Sequence, residues 1–448
     1  MNPLQDMMAI YREAVRAVDP AGLIATRVKK NGRTLTIDNR GTVISEDLSR
    51  YRQVIILGIG KASARMAAAM EDVLGEKLTR GFVITKYGHA VKTEKIRVVE
   101  AGHPLPDENS LKGARLLTQI ADEADENTLI IHLVSGGGSA LFCLPADGIS
   151  FEDKKETTRL LLNCGADIDE MNCVRKHLSR VKGGGLARIA YPARLVNLIL
   201  SDVIGDRIGT IASGITAADP TTFRDALGIV RKFSLENDLP NAVMERLHSG
   251  GKGFIPETPK ADDPIFEKTT NIILGNNALA CRAAFRQARE LGYNARLRTD
   301  TITGEASLAG VHFAAWADEL ISAGTARREK SVWISGGETT VTIRGPGKGG
   351  RSQEMALAFA VELDRIHPGA PNIYFLSAGT DGTDGPTDAA GAFVTPELLD
   401  KMKTIAATAS ACLAANDSYH FFEEAGGLFK TGPTYTNVGD IQILMVLD

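Results

Sequence analysis

Apolar residues recur along the chain in two patterns, one typical of buried strands and one typical of amphipathic helices. Eight short runs are almost wholly apolar, and segments of helical periodicity at 61–74, 152–164, 277–292 and 352–366 separate many of them. Apolar strands between helices predict an α/β fold whose parallel or mixed sheets are covered on both faces. The runs read VIILGIG, GFVITKY, TLIIHLVSGG, ARLVNLILSD, NIILGNN, SVWISGGE, NIYFLSAGTD and IQILMVL.

One stretch interrupts this alternation. Residues 239–268 contain four prolines and three glycines with little periodicity, which is typical of a loop or linker. We therefore expect one domain over 1–245, a linker over 246–268 and a second domain over 269–448. The whole chain of 448 residues is long enough for two domains of ordinary size.

Composition and charge narrow the class of protein. Hydrophobic residues make up 44% of the chain and charged residues 24%, as in globular proteins. The net charge of −4 argues against a protein that wraps nucleic acid. Five cysteines without a C-x-x-C pair fit a reducing compartment, and we find no signal peptide or membrane-length apolar segment. These features predict a cytoplasmic protein with neither nucleic-acid nor membrane partners.

The first glycine-rich strand end is a candidate anion site. Gly58 and Gly60 precede Lys61 at the start of a predicted helix, and a glycine turn at a helix N-terminus favours a phosphate. A dinucleotide fingerprint fails here, because Ser63 replaces its third glycine and the next strand ends in Lys86 rather than an acid. A P-loop also fails, since its first glycine is missing. An anion site and a purely structural turn both remain open.

Two further stretches of the first half combine glycine with polar or basic residues. The segment LVSGGGSALFCLP places Ser135, Gly136–Gly138 and Ser139 directly after a strand, where the backbone can approach a ligand. The segment RKHLSRVKGGGLARIA is basic throughout and has no acid. A solvated basic face is the ordinary explanation, but Lys182 leads directly into Gly183, which suits an anionic group.

Aspartates and a second set of glycines follow later strands. Asp202 ends a strand, where a carboxylate can hold Mg²⁺, take a proton from a hydroxyl or cap a turn. In the second half, Gly337 and Glu338 follow a strand, and Lys348 and Arg351 precede a helix start that suits an anion. The loop GTDGTDGPTD carries Asp381 and Asp384 without the order of a calcium loop, and Asn437 precedes the last strand.

Taken together, glycine turns, cations and strand-end aspartates match the needs of phosphoryl transfer from a nucleotide to a small anionic acceptor. Hydride transfer needs one pyrophosphate site and leaves the second half unexplained. A sensor that binds a phosphorylated metabolite without turning it over is a third class, and it would not need lysine, arginine and aspartates from both halves.

Nine motifs in their order along the chain carry a resemblance to a known family. Over about Leu4 to Val446 the chain resembles the glycerate 2-kinases of the MOFRL-domain class. One departure is Tyr435, where the family pattern has glycine. The motifs are GIGKAS, SGGGSAL, RKHLSRVKGGGLA, SDVIGD, ASGITAADPT, SGGETTVT, GGRSQEMALA, SAGTDGTDGPTDAAG and GPTYTNVGD.

The resemblance implies a Rossmann-like N-terminal domain, a smaller MOFRL-type C-terminal domain and an active site in the cleft between them. It implies ATP, Mg²⁺ and phosphorylation of D-glycerate at its 2-hydroxyl to 2-phosphoglycerate, and leaves a homo-oligomer open. Similar proteins are often called hydroxypyruvate reductases, so an NAD(P)H-dependent hydroxypyruvate reductase is the alternative function.

Matching the motifs residue by residue gives the candidate site. The expected catalytic residues are Lys61, Asp202 and Arg351, with Lys61 and Arg351 neutralising the substrate carboxylate and the transferred phosphoryl group. Asp202 or Asp381 would orient the hydroxyl or hold the metal, and the expected metal ligands are Asp381 and Asp384. The expected substrate- and nucleotide-binding residues are Gly58, Gly60, Ser63, Ser135, Gly136, Gly137, Gly138, Ser139, Arg175, Lys182, Gly183, Gly337, Glu338 and Asn437.

Overall fold

The computed structural model describes residues 2–39, 41–323, 330–368 and 372–447. The chain divides into two compact units. The doubly wound unit comprises Leu23–Ser201 and Asp206–Leu274. The mixed-sheet unit comprises Met1–Gly22, Asp202–Gly205 and Gly275–Asp448.

Strands and helices alternate along most of the chain, as the apolar pattern predicts. The strands are β1 (Val28–Asn31), β2 (Thr34–Asn39), β3 (Thr42–Asp47), β4 (Gln53–Ile59), β5 (Arg80–Lys86), β6 (Ile96–Ala101), β7 (Thr128–Val134), β8 (Arg194–Leu200), β9 (Thr269–Gly275), β10 (Asn294–Ile302), β11 (Ser331–Gly337), β12 (Ile373–Gly379), β13 (Gly391–Val394), β14 (Leu428–Phe429) and β15 (Asp440–Val446). The helices are α1 (Pro3–Ala17), α2 (Pro20–Arg27), α3 (Ser63–Leu74), α4 (Glu108–Asp122), α5 (Gly138–Leu141), α6 (Phe151–Asn163), α7 (Ile168–His177), α8 (Gly185–Ala190), α9 (Phe223–Lys232), α10 (Asn241–Gly251), α11 (Asn277–Glu290), α12 (Ala306–Ser322), α13 (Arg351–Ile366), α14 (Pro396–Ala414) and α15 (Ser418–Ala425).

The doubly wound unit contains a six-stranded sheet in the order β6-β5-β4-β7-β8-β9. The four pairs from β6 to β8 are parallel. Counted from β4, this is the order 3-2-1-4-5-6 of a doubly wound Rossmann sheet, in which β4 and β7 flank the topological switch point. The expected Rossmann-like N-terminal domain is therefore confirmed. A separate antiparallel sheet, β1-β2-β3, belongs to the same unit and has no counterpart in the sequence expectations.

The mixed-sheet unit contains a second six-stranded sheet in the order β10-β11-β15-β12-β13-β14. Strand β10 is parallel to β11, whereas β15 pairs antiparallel with both β11 and β12. The last strand therefore lies in the middle of the sheet, and its first residue, Asp440, is opposite Gly337 of β11 and Gly379 of β12. This arrangement brings three polar strand ends together at one edge.

The compact units differ from the expected domain boundaries at two places. Strand β9 pairs in the doubly wound sheet, so that unit extends past the expected linker at 246–268. The first 22 residues group with the mixed-sheet unit. The reason is that α1 packs against α11 and that the Tyr11 hydroxyl donates to the carbonyl of Gly379 at 2.6 Å. Helical periodicity in the sequence shows that α1 has an apolar face, but it does not show which of the two hydrophobic cores this face packs against.

Within the described residues, no helix is both long and apolar enough to cross a membrane. The five cysteines are free thiols.

Candidate active site

The turn from β4 into α3 lies at the switch point of the doubly wound sheet. Gly60 has φ of +121°, and a Cβ there would overlap the hydroxyl and carbonyl of Ser135, which follows β7. The N–H of Lys61 donates to the carbonyl of Gly136 at 2.9 Å, and the N–H of Ala62 donates to Ser135 Oγ at 2.9 Å. Glycine is needed here because the two switch-point loops bond directly to each other.

The same contacts change the interpretation of the first glycine turn. The N–H of Ser63 donates to the carbonyl of Gly60, and its buried hydroxyl lies 2.7 Å from that same oxygen. Gly58 lies inside β4, where a Cβ would stand 3.0 Å from the side chain of Val83. Three successive backbone donors, those of residues 61–63, thus have acceptors within the protein. These contacts favour the structural turn over a backbone phosphate cradle, and the ligand-binding roles of Gly58, Gly60 and Ser63 stay predictions.

The Lys61 side chain lies at the switch point, beside the loop that follows β7. It is partly exposed and runs past Gly137, where a Cβ would stand 3.4 Å from Lys61 Cγ and 2.8 Å from His103. Gly137 has φ of +83° and precedes the short helix α5. Glycine at 137 therefore gives both side chains room at the switch point.

Ser139, in α5, is the centre of a dense polar network. Its Oγ accepts hydrogen bonds from Arg175 Nη2 at 2.7 Å and from Lys182 Nζ at 2.8 Å. Lys182 Nζ also donates to the Ser139 carbonyl at 2.8 Å. A second hydroxyl, that of Ser213, lies 2.7 Å from Ser139 Oγ. The structure thus brings together residues of three separate sequence motifs: Ser139, the pair Arg175 and Lys182, and Ser213.

Lys154, on α6, lies beside these two cations. We call Lys154, Arg175 and Lys182 the buried cation cluster. Lys154 is 4% exposed and Lys182 1%. Lys154 Nζ and Arg175 Nε are buried without a hydrogen-bond partner in the described part of the chain. The two lysines are buried and Arg175 is partly buried, and two of the three side chains have donors that no atom of the described residues accepts.

The electrostatics of the cluster favour the binding of an anion. Burial lowers the pKa of Lys154 to about 8 and lowers the pKa of Lys182 well below its usual value, and the neighbouring cations lower both further. Burial also lowers the pKa of Arg175. Among the described residues, no carboxylate raises the pKa of any of the three; only the Cys143 thiol does. Buried charges are ordinarily paired, so this cluster is suited to an anionic ligand.

A cavity of about 760 Å³ adjoins the cluster. All three cations and Ser139 line it, and α6 supplies one wall. Its volume lies in the range of small-molecule sites.

The remaining basic residues of this stretch are already paired. Lys176 Nζ lies 3.2 Å from Asp219 Oδ1, with both side chains buried, and His177 Nε2 lies 3.2 Å from Glu257. The N–H of Gly183 donates to the carbonyl of Ser213 at 3.0 Å. Arg180 and Arg188 of this stretch are exposed, whereas Lys176, His177 and Lys182 are buried, and only Arg175 and Lys182 belong to the buried cation cluster.

In the mixed-sheet unit, Arg351 is held by two carboxylates. Its Nε and Nη2 donate to Asp440 at 2.7 and 2.9 Å, and its Nη1 donates to Glu338 at 2.6 Å. Burial alone would lower the pKa of Arg351, but Asp440 and Glu338 raise it well above its usual value. Gly337 precedes Glu338, and a Cβ there would overlap the backbone of Ile302. Two carboxylates of the protein thus already neutralise Arg351, and its expected role as a catalytic residue stays a prediction.

The N-terminus of α13 also differs from the expected anion site. The carboxylate of Asp384 accepts the N–H groups of Ser352 and Gln353 at 3.1 and 2.8 Å, and Gln353 Nε2 at 3.0 Å. Lys348 Nζ stands 4.1 Å from the ring centre of Tyr419. The anion at this helix start is therefore the protein's own. Burial raises the pKa of Asp384 to about 7.

Asp381, the other expected metal ligand, accepts the N–H of Thr383 at 3.1 Å. It lies close enough to Tyr11 to raise the pKa of that hydroxyl, although burial is the larger cause. The described residues contain no group of three or more histidine, cysteine, aspartate or glutamate side chains arranged to hold a metal ion. The pairing of Asp381 with Asp384 as metal ligands stays a prediction, and the contacts of Asp384 favour a structural role for it.

Asp202 and Asn437, far apart in sequence, meet in the mixed-sheet unit. Asn437 Nδ2 donates to Asp202 Oδ2 at 3.2 Å. The preceding Thr436 hydroxyl donates to the carbonyl of Val18 at 2.7 Å. Tyr435 has φ of +62°, a conformation that glycine adopts more easily. The positive φ at this position therefore explains why the family pattern has glycine there.

Sequence reasoning missed Lys154, and one signal could have found it. Lys154, Thr157 and Leu161 form the buried stripe of α6. A lysine in register with the apolar face of a helix is unusual, since lysine is almost never buried unpaired. Asp440 and Tyr11 were also not selected as site residues. Asp440 reaches Arg351 only because β15 lies between β11 and β12, and Tyr11 approaches Asp381 only because α1 packs against α11.

The comparisons with known proteins agree with these observations. The model of the domain described as Domain of unknown function (DUF4147) matches residues 6–248, and that of the MOFRL family matches residues 331–440. The chain is 40% identical to a glycerate 2-kinase of Pyrococcus horikoshii, over 98% of this chain and 96% of that protein. It is 41% identical to an Agrobacterium vitis protein named as a hydroxypyruvate reductase, over 88% of this chain and 87% of that protein.

A solved structure extends the similarity to the whole fold. The crystal structure of a glycerate kinase from Thermotoga maritima is 37% identical and superposes with a TM-score of 0.83, covering 100% of both chains. The domain matches, the relatives and this structure all agree with the nine motifs. The chain therefore belongs to the glycerate 2-kinase family of the MOFRL-domain class.

Proposed function

We propose that this protein transfers the terminal phosphoryl group of ATP to the 2-hydroxyl of D-glycerate, giving 2-phosphoglycerate, with Mg²⁺ as cofactor. The names of its relatives support phosphorylation of glycerate. The observation that carries the proposal is the buried cation cluster, which has no carboxylate partner among the described residues. Nucleotide and glycerate are both anions, and such a cluster favours binding of anions.

The residues at the switch point would neutralise charge during transfer. Phosphoryl transfer depends mostly on positioning and on stabilising the charge of the transferred group. Lys61 is the cation we assign to this role, because its side chain is partly exposed beside Gly137. The backbone of Lys61 is fixed by its bond to Gly136, which limits the positions that its ammonium group can adopt.

The carboxylates of the mixed-sheet unit would orient the acceptor hydroxyl. Asp202, held by Asn437, and Asp381, close to Tyr11, remain the two candidates. We assign Arg351 to positioning, since its donors are engaged by Asp440 and Glu338. The location of the active site in a cleft between domains stays a prediction.

The carboxylates of the described residues could hold Mg²⁺ only together with substrate phosphates and water. No cluster of three protein ligands exists among the described residues, but Mg²⁺ commonly uses one or two carboxylates together with substrate phosphates and water. Asp381 is the residue that would hold it, since both oxygens of Asp384 already accept N–H groups. Mg²⁺ held there would neutralise the negative charge of the phosphate groups.

A hydroxypyruvate reductase is the second candidate, favoured by the name of the Agrobacterium vitis relative. Two structural details speak against it. Ser63 stands in place of the third fingerprint glycine, and its hydroxyl is bonded to the carbonyl of Gly60. Strand β5 ends in Lys86 where a dinucleotide site uses an acid for the ribose.

Steady-state kinetics with both substrate pairs tests the proposal. We expect ADP release from ATP only when D-glycerate and Mg²⁺ are present, and no NADH or NADPH oxidation by hydroxypyruvate. Lys61→Ala should lower kcat about 10²-fold or more, because it removes charge stabilisation of the transition state. The exposed Lys77→Ala is the matched control and should keep the parent kcat. NAD(P)H oxidation without ADP release would overturn the proposal.

A further inference from the structure

The buried cation cluster is incomplete as it stands in the protein. Lys154 Nζ can donate three hydrogen bonds and Arg175 Nε one, and none of these donors has an acceptor among the described residues. Leaving buried charged donors unsatisfied is unfavourable. An acceptor group that enters beside them would recover this free energy.

The acids near the cavity do not fill this role. Glu152 bonds to Lys155, and Glu156 bonds to Arg159, both at the surface of α6. Asp153 accepts the N–H of Ser150, with which it forms the capping box of the helix. The carboxylates of the same helix are therefore committed elsewhere, and the anion must come from a ligand.

The shape and chemistry of the cavity limit what the ligand can be. Three cations and the Ser139 hydroxyl line one part of its wall, and a single carboxylate would leave most of these donors unsatisfied. A three-carbon acid would also leave most of the roughly 760 Å³ empty. Charged side chains of α6 also line the cavity, and six further lining residues are apolar and suit a flat, weakly polar group: Pro104, Leu105, Pro106, Leu162, Met171 and Pro240.

We infer that Lys154, Arg175 and Lys182, with the Ser139 hydroxyl, bind the polyphosphate chain of a nucleoside triphosphate, whose base and sugar lie against the apolar wall. Lys154 is thereby assigned as a nucleotide-binding residue. Glycerate binds elsewhere. This inference rests on the proposed function only in its choice of a nucleotide as the polyanion, and binding can be measured without turnover.

Calorimetric titration of the full chain with ATP, inorganic tripolyphosphate and D-glycerate tests the site. We compare the parent with Lys154→Met, which keeps the length of the side chain and removes its charge. The control is Lys232→Gln, since Lys232 is a surface residue paired with Glu170 and lies outside the cavity. We expect Lys154→Met to raise the Kd for ATP and tripolyphosphate about tenfold or more. The Kd for glycerate, and all affinities of Lys232→Gln, should stay within about twofold.

Cys143 provides a second readout that a structural role of Lys154 would not change. The thiol lines the cavity and is close enough to affect the pKa of all three cations. Alkylation of Cys143, followed by peptide mass spectrometry, should be slowed by ATP and by tripolyphosphate but not by glycerate. Lys154→Met should lose this protection at the same ligand concentrations.

The outcomes separate this site from the proposed reaction. Weaker glycerate binding in Lys154→Met with unchanged ATP affinity would overturn the assignment, as would unchanged affinities for all three ligands. Glycerate-dependent ADP release, together with an unchanged Kd for ATP in Lys154→Met, would support the kinase function but contradict the proposed nucleotide site. If ATP binding depends on Lys154 but the protein does not phosphorylate glycerate, the nucleotide site would be supported and the proposed kinase function would be contradicted.

Discussion

Arg351 and Asp440 form a two-bond fork in which Nε–Oδ2 is 2.7 Å and Nη2–Oδ1 is 2.9 Å. Asp440 is the first residue of β15, and Arg351 is the first residue of α13. The fork therefore fixes the start of a helix against the start of a central strand. Asp440 has only 1% of its surface exposed, so its charge depends on this partner.

Arg351→Met should lower the free energy of unfolding by about 3 kcal/mol or more, because it leaves a buried carboxylate without its cation. Chemical denaturation of the parent and the variant measures this difference. Arg365→Met is a matched control on the same helix, since Arg365 pairs with Glu362 at the surface. It should cost less than about 1 kcal/mol. Equal losses in the two variants would contradict a structural fork.

The fork also shows how much the sequence could predict. Apolar runs located eight strands of the two large sheets, since a strand buried on both faces is recognised from its apolar residues alone. The same pattern missed β6, β10, β13 and β14. The position of β15 between β11 and β12 depends on pairing between distant strands, which local periodicity does not encode. The pairing of Arg351 with Asp440 was for this reason not predicted, although Arg351 and its other partner, Glu338, were selected.

The same distinction applies to the helix starts and the cations. In a sequence, glycine and lysine at a predicted helix N-terminus indicate that an anion binds there. They do not indicate whether this anion is a ligand or an acidic side chain of the protein. At α13 the anion is Asp384 of the protein itself. At the switch point the N–H groups of Lys61 and Ala62 are taken by the loop after β7, whereas Lys154 of α6 and Arg175 of α7 have no acid partner among the described residues. Only three-dimensional contacts distinguish these cases.

Lys154→Met should stabilise the protein in buffer free of multivalent anions. Burial lowers the pKa of Lys154 to about 8, so near neutral pH the folded state carries an unfavourable charge that the unfolded state hydrates. Removing it should raise the free energy of unfolding by about 2 kcal/mol. The neighbouring Lys155→Met, at a surface pair with Glu152, should change it by less than about 0.5 kcal/mol. Destabilisation by Lys154→Met would indicate that the lysine is needed for packing.

Anion binding should weaken as the pH rises. In the free protein Lys154 loses its proton as the pH passes its pKa of about 8, whereas a bound anion favours the charged form. The Kd for ATP should be nearly constant below this pH and should rise up to about tenfold per unit above it. Arg175, Lys182 and Cys143 also face the site, so the contribution of Lys154 is the difference between the profiles of the parent and Lys154→Met. Parallel profiles would contradict the assignment.

Tyr435→Gly should stabilise the protein by about 1 kcal/mol, since φ of +62° costs a residue with a Cβ more than it costs glycine. Tyr435→Ala keeps the backbone cost and removes the ring, so it should give no gain. Thermal unfolding of the two variants separates backbone strain from loss of the side chain. A gain in both would show that the ring, rather than φ, is unfavourable.

The position of the new phosphate group tests the central claim most directly. Enolase accepts 2-phosphoglycerate but not 3-phosphoglycerate, so an assay with ATP, Mg²⁺, D-glycerate and enolase reports transfer to the 2-hydroxyl without a mutase. We predict an immediate enolase signal that requires both ATP and D-glycerate. A signal that appears only after a phosphoglycerate mutase is added, or reduction of hydroxypyruvate by NAD(P)H in its place, would contradict the account.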